Sequence, residues 1–397
     1  MSETQKHIKP NVPNLRFPGF EGEWEKRNIH DFTRVVAGAT PSTGNKSYWG
    51  GDIRWMNSGE LNLKRVYDVQ GRITREGYEK TSTKMIPPYS VLIGLAGQGK
   101  TRGTAAMNYV ELCTNQSIAS ILPSQDYYPE FLYQNIESRY KELRDISSGD
   151  GGRGGLNLKM INNLDIPYCS LAEQKKIGDF LFLLDQRITI QSKLIEDLRI
   201  LKIAIMARLF QSSEGEMKTL GELTVNFSHR NKQRIPYPMF SVTNDKGFIP
   251  QSEQFEDREM EGEDIAAYKL IQAGDIAYNP ARINVGSIAQ YKGKTTCMIS
   301  SLYVCIQAKR TVSDRWLMHI LKSERLLYYY NLYAEGGVRL YLFYPNFSRI
   351  KVFVPPYAKQ ERIADCLDAI EKKVEQESVL LNDLIKQKQF FLSRLFL

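Results

Sequence analysis

The sequence predicts an α+β protein made of two copies of one plan, a β-rich region followed by a long helix. Three observations predict it. Residues 172–210 and 358–396 align without a gap at a constant offset of 186, with identities that include Ala172/Ala358, Gln174/Gln360, Ile177/Ile363, Asp179/Asp365, Leu181/Leu367 and Lys202/Lys388. Both copies carry apolar residues at alternating steps of four and three. The regions before them are rich in Tyr, Gly and short β-type runs. A period this long marks a duplicated unit instead of a solenoid array, so the two β-rich regions should be related by a pseudo-two-fold axis, with the helices paired as an antiparallel coiled coil. The boundaries are 1–169 for the first β-rich region, 170–215 for the first helix, 216–356 for the second region and 357–397 for the second helix.

The first helical seam runs through Ile177, Leu181, Leu184, Ile188, Gln191, Ile195, Leu198, Lys202, Ile205 and Leu209. The second runs through Ile363, Leu367, Ile370, Val374, Glu377, Leu381, Leu384, Lys388, Phe391 and Leu395. This is the a/d spacing of a coiled coil, whose polar interruptions set register and partner at a cost in stability. The interruptions coincide, Gln191 with Glu377 and Lys202 with Lys388. Ser170 with Glu173 reads as a capping box for the first helix, and Pro355-Pro356 marks the start of the second.

The β-rich regions share a weaker likeness. Val91-Leu92-Ile93 before a glycine loop corresponds to Ile276-Ala277-Tyr278 before Asn279-Pro280-Ala281-Arg282. Cys113 matches Cys297, Ser117 matches Ser301 and Ile118 matches Leu302. A short helix is expected near Phe131 to Arg139 and near Trp316 to Arg325, each followed by a glycine turn bearing Arg153 or Arg339.

The chain has 397 residues, 42% hydrophobic and 25% charged, with a formal net charge of +8. That is the balance of a folded globular protein with a basic bias compatible with a polyanionic partner. The excess lies in the β-rich regions, +3 for residues 1–169 and +4 for 216–356, while the helices are near neutral. Five cysteines without a CxxC pair indicate neither zinc nor a disulfide framework. Met1 to Pro10 lacks a signal-peptide core and no run is long enough to span a bilayer, so a reduced, cytoplasmic protein without membrane contact is expected.

Three motifs invite an enzyme reading. Gly94 to Thr101 satisfies GxxxxGK[ST], but a phosphate loop needs a helix starting at its Lys-Thr pair, and Arg102-Gly103-Thr104 follows. Pro87-Pro88-Tyr89 and Pro355-Pro356-Tyr357 have the shape of an amino-methyltransferase motif. Ile86 and Val354 cannot accept the required hydrogen bond, so both read as turns. The four histidines stand at no metal-ligand spacing. No catalytic, cofactor or metal residue is assigned. A P-loop nucleotide-binding protein and a coiled-coil scaffold are the alternatives to a nucleic-acid reader.

The order of regions, together with Leu15 to Phe20 and Trp24, Gly38 to Ser42, Asn115 to Ile118, Ser241 to Asn244 with Gly247, and Ala358 to Ile363, resembles the specificity subunit of type I restriction-modification enzymes. The resemblance implies two target-recognition domains, each reading half of a split site on double-stranded DNA. It also implies helices that set the spacer and dock two methyltransferase subunits, with two restriction subunits where a nuclease is present. S-adenosylmethionine, ATP and Mg2+ would belong to those partners. Arg and Lys suit guanine, Asn and Gln suit adenine, and most polar contacts fall on phosphate. The candidate DNA-binding residues are therefore Thr43, Asn45, Lys46, Tyr48, Gln98, Lys100, Arg102 and Arg153 in the first domain. In the second they are Arg230, Asn231, Lys232, Arg234, Asn279, Arg282, Asn284 and Arg339. Tyr328-Tyr329-Tyr330 reads as helix packing.

Overall fold

A computed structural model describes residues 11–97, 101–147, 155–209, 214–251 and 265–396. The chain divides into two compact units, Met1–Ser192 with Val379–Leu397, and Lys193–Ser378, so that the division falls inside both long helices. The expected Gly149 to Gly155 turn lies almost wholly outside the described residues.

In unit 1 a five-stranded sheet has the order Val35–Ala37, Ile118–Ile121, Val91–Gly94, Ala105–Asn108, Arg65–Val66, antiparallel except at its last junction. A four-stranded sheet joins Arg72–Ile73, Trp49–Met56, Leu112–Thr114 and Met85–Ile86. Unit 2 keeps a comparable centre in its sheet of Thr224–Phe227, Val304–Ala308, Ile276–Tyr278 and Ile288–Gln290. Strand 276–278 stands where 91–94 stands, flanked in each unit by the strand that follows it and by a later one. Fully buried apolar strands of this kind form where both faces of a sheet are covered.

One residue match needs correction. Ile118 pairs with Gly94 and is buried, whereas Leu302 is 74% exposed in a turn. With Ile276 to Tyr278 standing for Val91 to Ile93, Val304 paired with Tyr278 corresponds to Ala119 paired with Ile93, so the residue matching Ile118 is Tyr303. The predicted helix near Trp316 to Arg325 is two helices, Asp314–Leu321 and Glu324–Tyr333, because the Ser323 hydroxyl accepts from the Leu326 N–H and starts a new one. Within it Tyr330 is fully buried and donates to the Leu321 carbonyl, while Tyr328 is exposed. Tyr329 is half-buried against the same core, so packing describes Tyr329 and Tyr330 and not Tyr328.

Each domain is closed by a two-stranded antiparallel ribbon, Glu25–Asn28 with Asp165–Tyr168 and Glu216–Thr219 with Lys351–Val354. The second strand of each ribbon leads into a long helix, Leu171–Leu209 or Tyr357–Leu395. In unit 1 Phe180 meets Phe391 and Asp185 meets Lys388. In unit 2 Lys202 meets Glu371, and Met206 shares a core with Ile363 and Leu367. Rising numbers on one helix meet falling numbers on the other, so the pairing within each unit is antiparallel. Ile177, Leu181, Leu184, Ile195, Ile363, Leu367, Ile370 and Leu384 are buried, and Ile188, Leu198, Val374 and Leu381 are half-buried. Gln191 and Glu377 are buried too, the latter paired with Lys373.

The capping box is half formed. The Ser170 hydroxyl accepts from the Glu173 N–H (3.3 Å), but the Glu173 carboxylate is taken by the Arg16 guanidinium (2.7 and 2.8 Å). Phe17 lies edge-on to Phe180, Trp24 packs against Phe131, and the Leu15 N–H donates to the Arg394 carbonyl. The segment from Leu15 to Trp24 is therefore a clip around the helices of unit 1.

A shorter helix in each unit, here termed the anchor helix (Pro129–Ser138 or Asp314–Leu321), docks on the long helices through a buried glutamine. Gln174 Oε1 accepts from the Tyr128 N–H (2.9 Å) while its Nε2 donates to the Cys169 carbonyl (2.9 Å). Gln360 Oε1 accepts from the Ser313 N–H (2.8 Å) and its Nε2 donates to the Pro355 carbonyl (2.8 Å). Gly178 lets the first long helix close in, since a Cβ there would stand 2.9 Å from the Phe131 nitrogen. Among the described residues no helix is long and apolar enough to cross a membrane, and all five cysteines are free thiols.

Replacing Gln174 or Gln360 by Leu should cost about 2–4 kcal/mol, because buried donors and acceptors lose their partner. Urea denaturation of each variant checks this, with Gln360→Leu destabilising unit 2 and Gln174→Leu unit 1.

Candidate nucleic-acid interface

In unit 1, Thr43, Asn45 and Lys46 are exposed on the loop between strands Val35–Ala37 and Trp49–Met56. Asn45 Oδ1 caps a short turn by accepting from the Ser47 N–H (3.1 Å), which holds the loop. Tyr48 is half-buried and its carbonyl accepts from the Thr74 N–H, pinning the loop to the sheet. Arg102 is half-buried. Gln98, Lys100 and Arg153 lie outside the described residues.

The phosphate-loop alternative fails on geometry. The chain passes from Thr101 through a turn, with the Gly103 N–H on the Gly94 carbonyl, into strand Ala105–Asn108. No helix begins there to present its N-terminus to phosphate, and the Thr101 hydroxyl donates to the Ala96 carbonyl (3.2 Å). Pro87-Pro88-Tyr89 is a turn as expected, tied by Asn108 Nδ2 to the Pro87 carbonyl (2.8 Å).

In unit 2, Arg230, Lys232 and Arg234 are exposed on one loop. Asn231 is a correction. It is 1% exposed, with Nδ2 on the Ile235 carbonyl (2.7 Å) and Oδ1 accepting from the Ile235 N–H (3.1 Å), so it staples the loop from inside. Asn279 likewise spends its Oδ1 on the Ala281 N–H (3.0 Å), an Asx turn that shapes the segment carrying exposed Arg282. Asn284 Nδ2 donates to Asn331 Oδ1 (2.9 Å).

Arg339 sits on a hairpin closed by backbone bonds between Glu335 and Tyr341 (2.9 and 2.8 Å). Gly336 has φ +137°, and a Cβ there would lie 2.1 Å from the Arg339 carbonyl oxygen. The Leu342 N–H then donates to the Pro280 carbonyl (2.9 Å), bringing the Arg282 loop and the Arg339 hairpin side by side. Next to Arg339 the side chain of Val338 is wholly exposed, and Tyr341 and Phe343 stack at 5.9 Å.

Two populations of cations can be told apart. Lys46, Arg230, Lys232, Arg282 and Arg339 have no ion-pair partner among the described residues. At the helical joints Arg65, Lys388, Arg315 and Lys202 are paired. In unit 1 Arg65 binds Glu130 (2.6 Å) and Asp185 (2.8 Å), Gln134 Nε2 donates to Glu130 and Asp185 (2.8 and 2.7 Å), and Lys388 pairs with Asp185 (2.6 Å) and Glu137 (2.9 Å). In unit 2 Arg315 binds Asp368 (2.6 Å) and Asp365 (2.8 Å), and Lys202 pairs with Glu371. His319 stands between Asp368 (2.7 Å) and Glu371 (3.5 Å).

Sequence spacing did not show the meeting of His319, Asp368 and Glu371, because 49 residues separate His319 from Asp368. Their ligand-type atoms lie within 4.8 Å of one another, but Lys202 and Arg315 already supply the positive charge. Hydrogen bonding from His319, aided by Lys202 and opposed by burial, pushes the Glu371 carboxyl down to about 2. Burial tends to raise Asp368, but Arg315 and His319 hold it below the usual carboxylate range.

The comparisons with known proteins agree with this layout. Residues 21–199 match the model of the type I restriction modification DNA specificity domain. The chain is 33% identical over 190 residues to the type I restriction enzyme MjaIX specificity subunit of Methanocaldococcus jannaschii, covering 46% of this chain and 42% of that protein. It is 28% identical over 146 residues to the HindI specificity subunit of Haemophilus influenzae, covering 36% and 31%. The chain thus matches less than half the length of these relatives. The crystal structure of an S subunit from M. genitalium shares the fold, with a TM-score of 0.63 at 17% identity over 97% of this chain and 99% of that one.

Glu371, depressed in the fold from the ordinary 4.5 to about 2, adds stability that is complete above pH 4.5 and is lost as pH falls toward 2. Acid titration followed by circular dichroism should show Glu371→Gln removing that part of the pH dependence.

Proposed function

We propose, from the match of residues 21–199 to the type I restriction modification DNA specificity domain, that this chain is a non-catalytic DNA-recognition subunit. Each unit reads one half of an asymmetric, bipartite duplex site. The long helices set the spacer between halves and dock two methyltransferase subunits, and restriction subunits join where a nuclease is present. S-adenosylmethionine, ATP and Mg2+ belong to those partners.

The observation that carries this reading is the contrast in cations. Lys46 in unit 1 and Arg230, Lys232, Arg282 and Arg339 in unit 2 stand on loops without ion-pair partners among the described residues, while Arg65, Lys388, Arg315 and Lys202 at the helical joints are neutralised within the protein. Duplex DNA offers the missing negative charge, and guanidinium groups beside a hairpin are suited to base edges or phosphates. The repeated sheet centre and glutamine clamp support two heads doing one task, and their different loops support two different targets.

Mapping methylated adenines in cells carrying the complete system tests the proposal. Exchanging Arg282, Asn284 and Arg339 together for alanine should relax or abolish one half of the methylated site and leave the other half unchanged. Loss of both halves equally, or of neither, would count against two independent heads. Lys232→Ala in the purified complex should weaken binding across sequences and reduce the slope of log K against log salt by about 0.9.

A further inference from the structure

The two units solve one mechanical problem with different chemistry. Gln134, on the anchor helix of unit 1, donates from Nε2 to Glu130 Oε1 (2.8 Å) and Asp185 Oδ2 (2.7 Å). His319 is the corresponding residue of unit 2, just as Glu371 corresponds to Asp185 at the offset of 186. Its Nε2 lies 2.7 Å from Asp368 Oδ1 and its Nδ1 3.5 Å from Glu371 Oε1, and its side chain is 5% exposed.

An amide nitrogen carries two protons at every pH, but an imidazole carries two N–H groups only when protonated. Once neutral, His319 can serve one carboxylate and must turn a ring lone pair toward the other. Other charges stand around it, with Asp245 and Lys246 from a hairpin turn and Lys372 and Glu375 from the second long helix lining the same cavity. Lys202 on the first long helix holds Glu371, Arg315 on the anchor helix holds Asp368, and Lys322 follows that helix, with Lys292 acting on Lys322 from a nearby loop. Solvent protons reach the ring from two cavities. One of about 790 Å³ is lined by Arg315, His319 and Asp368, and one of about 500 Å³ by Lys202, His319 and Lys322.

We propose that His319 is a positioning residue for DNA reading by unit 2: doubly protonated it clamps the anchor helix to the second long helix, and on losing a proton it releases one carboxylate. The inference rests on the DNA-reading function above. It makes recognition by unit 2 weaken as pH rises, while unit 1, latched by Gln134, does not respond.

The test uses the complete chain assembled with its methyltransferase subunits and duplexes in which only one half-site is intact, at constant ionic strength from pH 6 to 9. Affinity for the half read by unit 2 should fall about tenfold, the scale of one charge-assisted hydrogen bond, and affinity for the other half should stay level. H319Q should flatten the response of unit 2, and Q134H should transfer a pH response to unit 1. Hydrogen exchange of residues 314–321 in the chain without DNA, corrected for intrinsic rates, should lose protection with rising pH in the wild type and not in H319Q. If exchange follows this pattern but neither half-site is bound, the DNA-reading function fails and the latch stands. A level wild-type exchange profile, or an undiminished slope in H319Q, overturns the latch.

Discussion

Everything in each unit depends on one buried glutamine. At the start of a long helix, Gln174 or Gln360 uses its acceptor on the backbone N–H of the residue that caps the anchor helix and its donor on the carbonyl just before its own helix. A helix start has unsatisfied N–H groups, and burying them without a partner is costly. A side chain with one acceptor and two donors removes the problem on both elements at once, and in doing so sets the angle at which the β domain meets its helices. Leu or Met would fill the space and leave the polar groups stranded.

The charged joints build outward from that clamp. Lys202 and Lys388 occupy the same seam position in the repeat, and each meets an acid on the opposite helix, Glu371 or Asp185, which also occupy one position at the offset of 186. A lysine in an apolar seam lowers stability, but here each has its counter-charge only in the antiparallel register, so other alignments would bury it unpaired. The polar breaks that look like flaws in the heptads are therefore register keys. Arg65 in one unit and Arg315 in the other reach from the domain to an acid on a long helix, Asp185 or Asp368.

How much was legible in the sequence follows from the range of each interaction. The seams, the strand centred on Leu92 and the strand centred on Ala277 could be read because helix and strand periodicities are local. The capping box was only half right because Arg16, 157 residues from Glu173, competes for the carboxylate. Asn231 and Asn279 passed for surface readers because an Asx-type staple and an exposed amide look alike without the backbone that folds over them. The meeting of His319 with Asp368 and Glu371, and of the Arg282 loop with the Arg339 hairpin, depends on backbone hydrogen bonds and helix register formed after folding. No spacing rule reaches that far.

The ribbons that close the domains have a consequence of a different kind. Because Glu25–Asn28 lies beside Asp165–Tyr168, and Glu216–Thr219 beside Lys351–Val354, each β domain begins and ends at nearly the same point in space. The second domain is thereby an insertion between the two long helices, and what lies between the two strands of either ribbon can change without altering where the following helix starts. Recombination between two related genes within the helix-coding segments would therefore exchange a whole domain at once and keep its clamp.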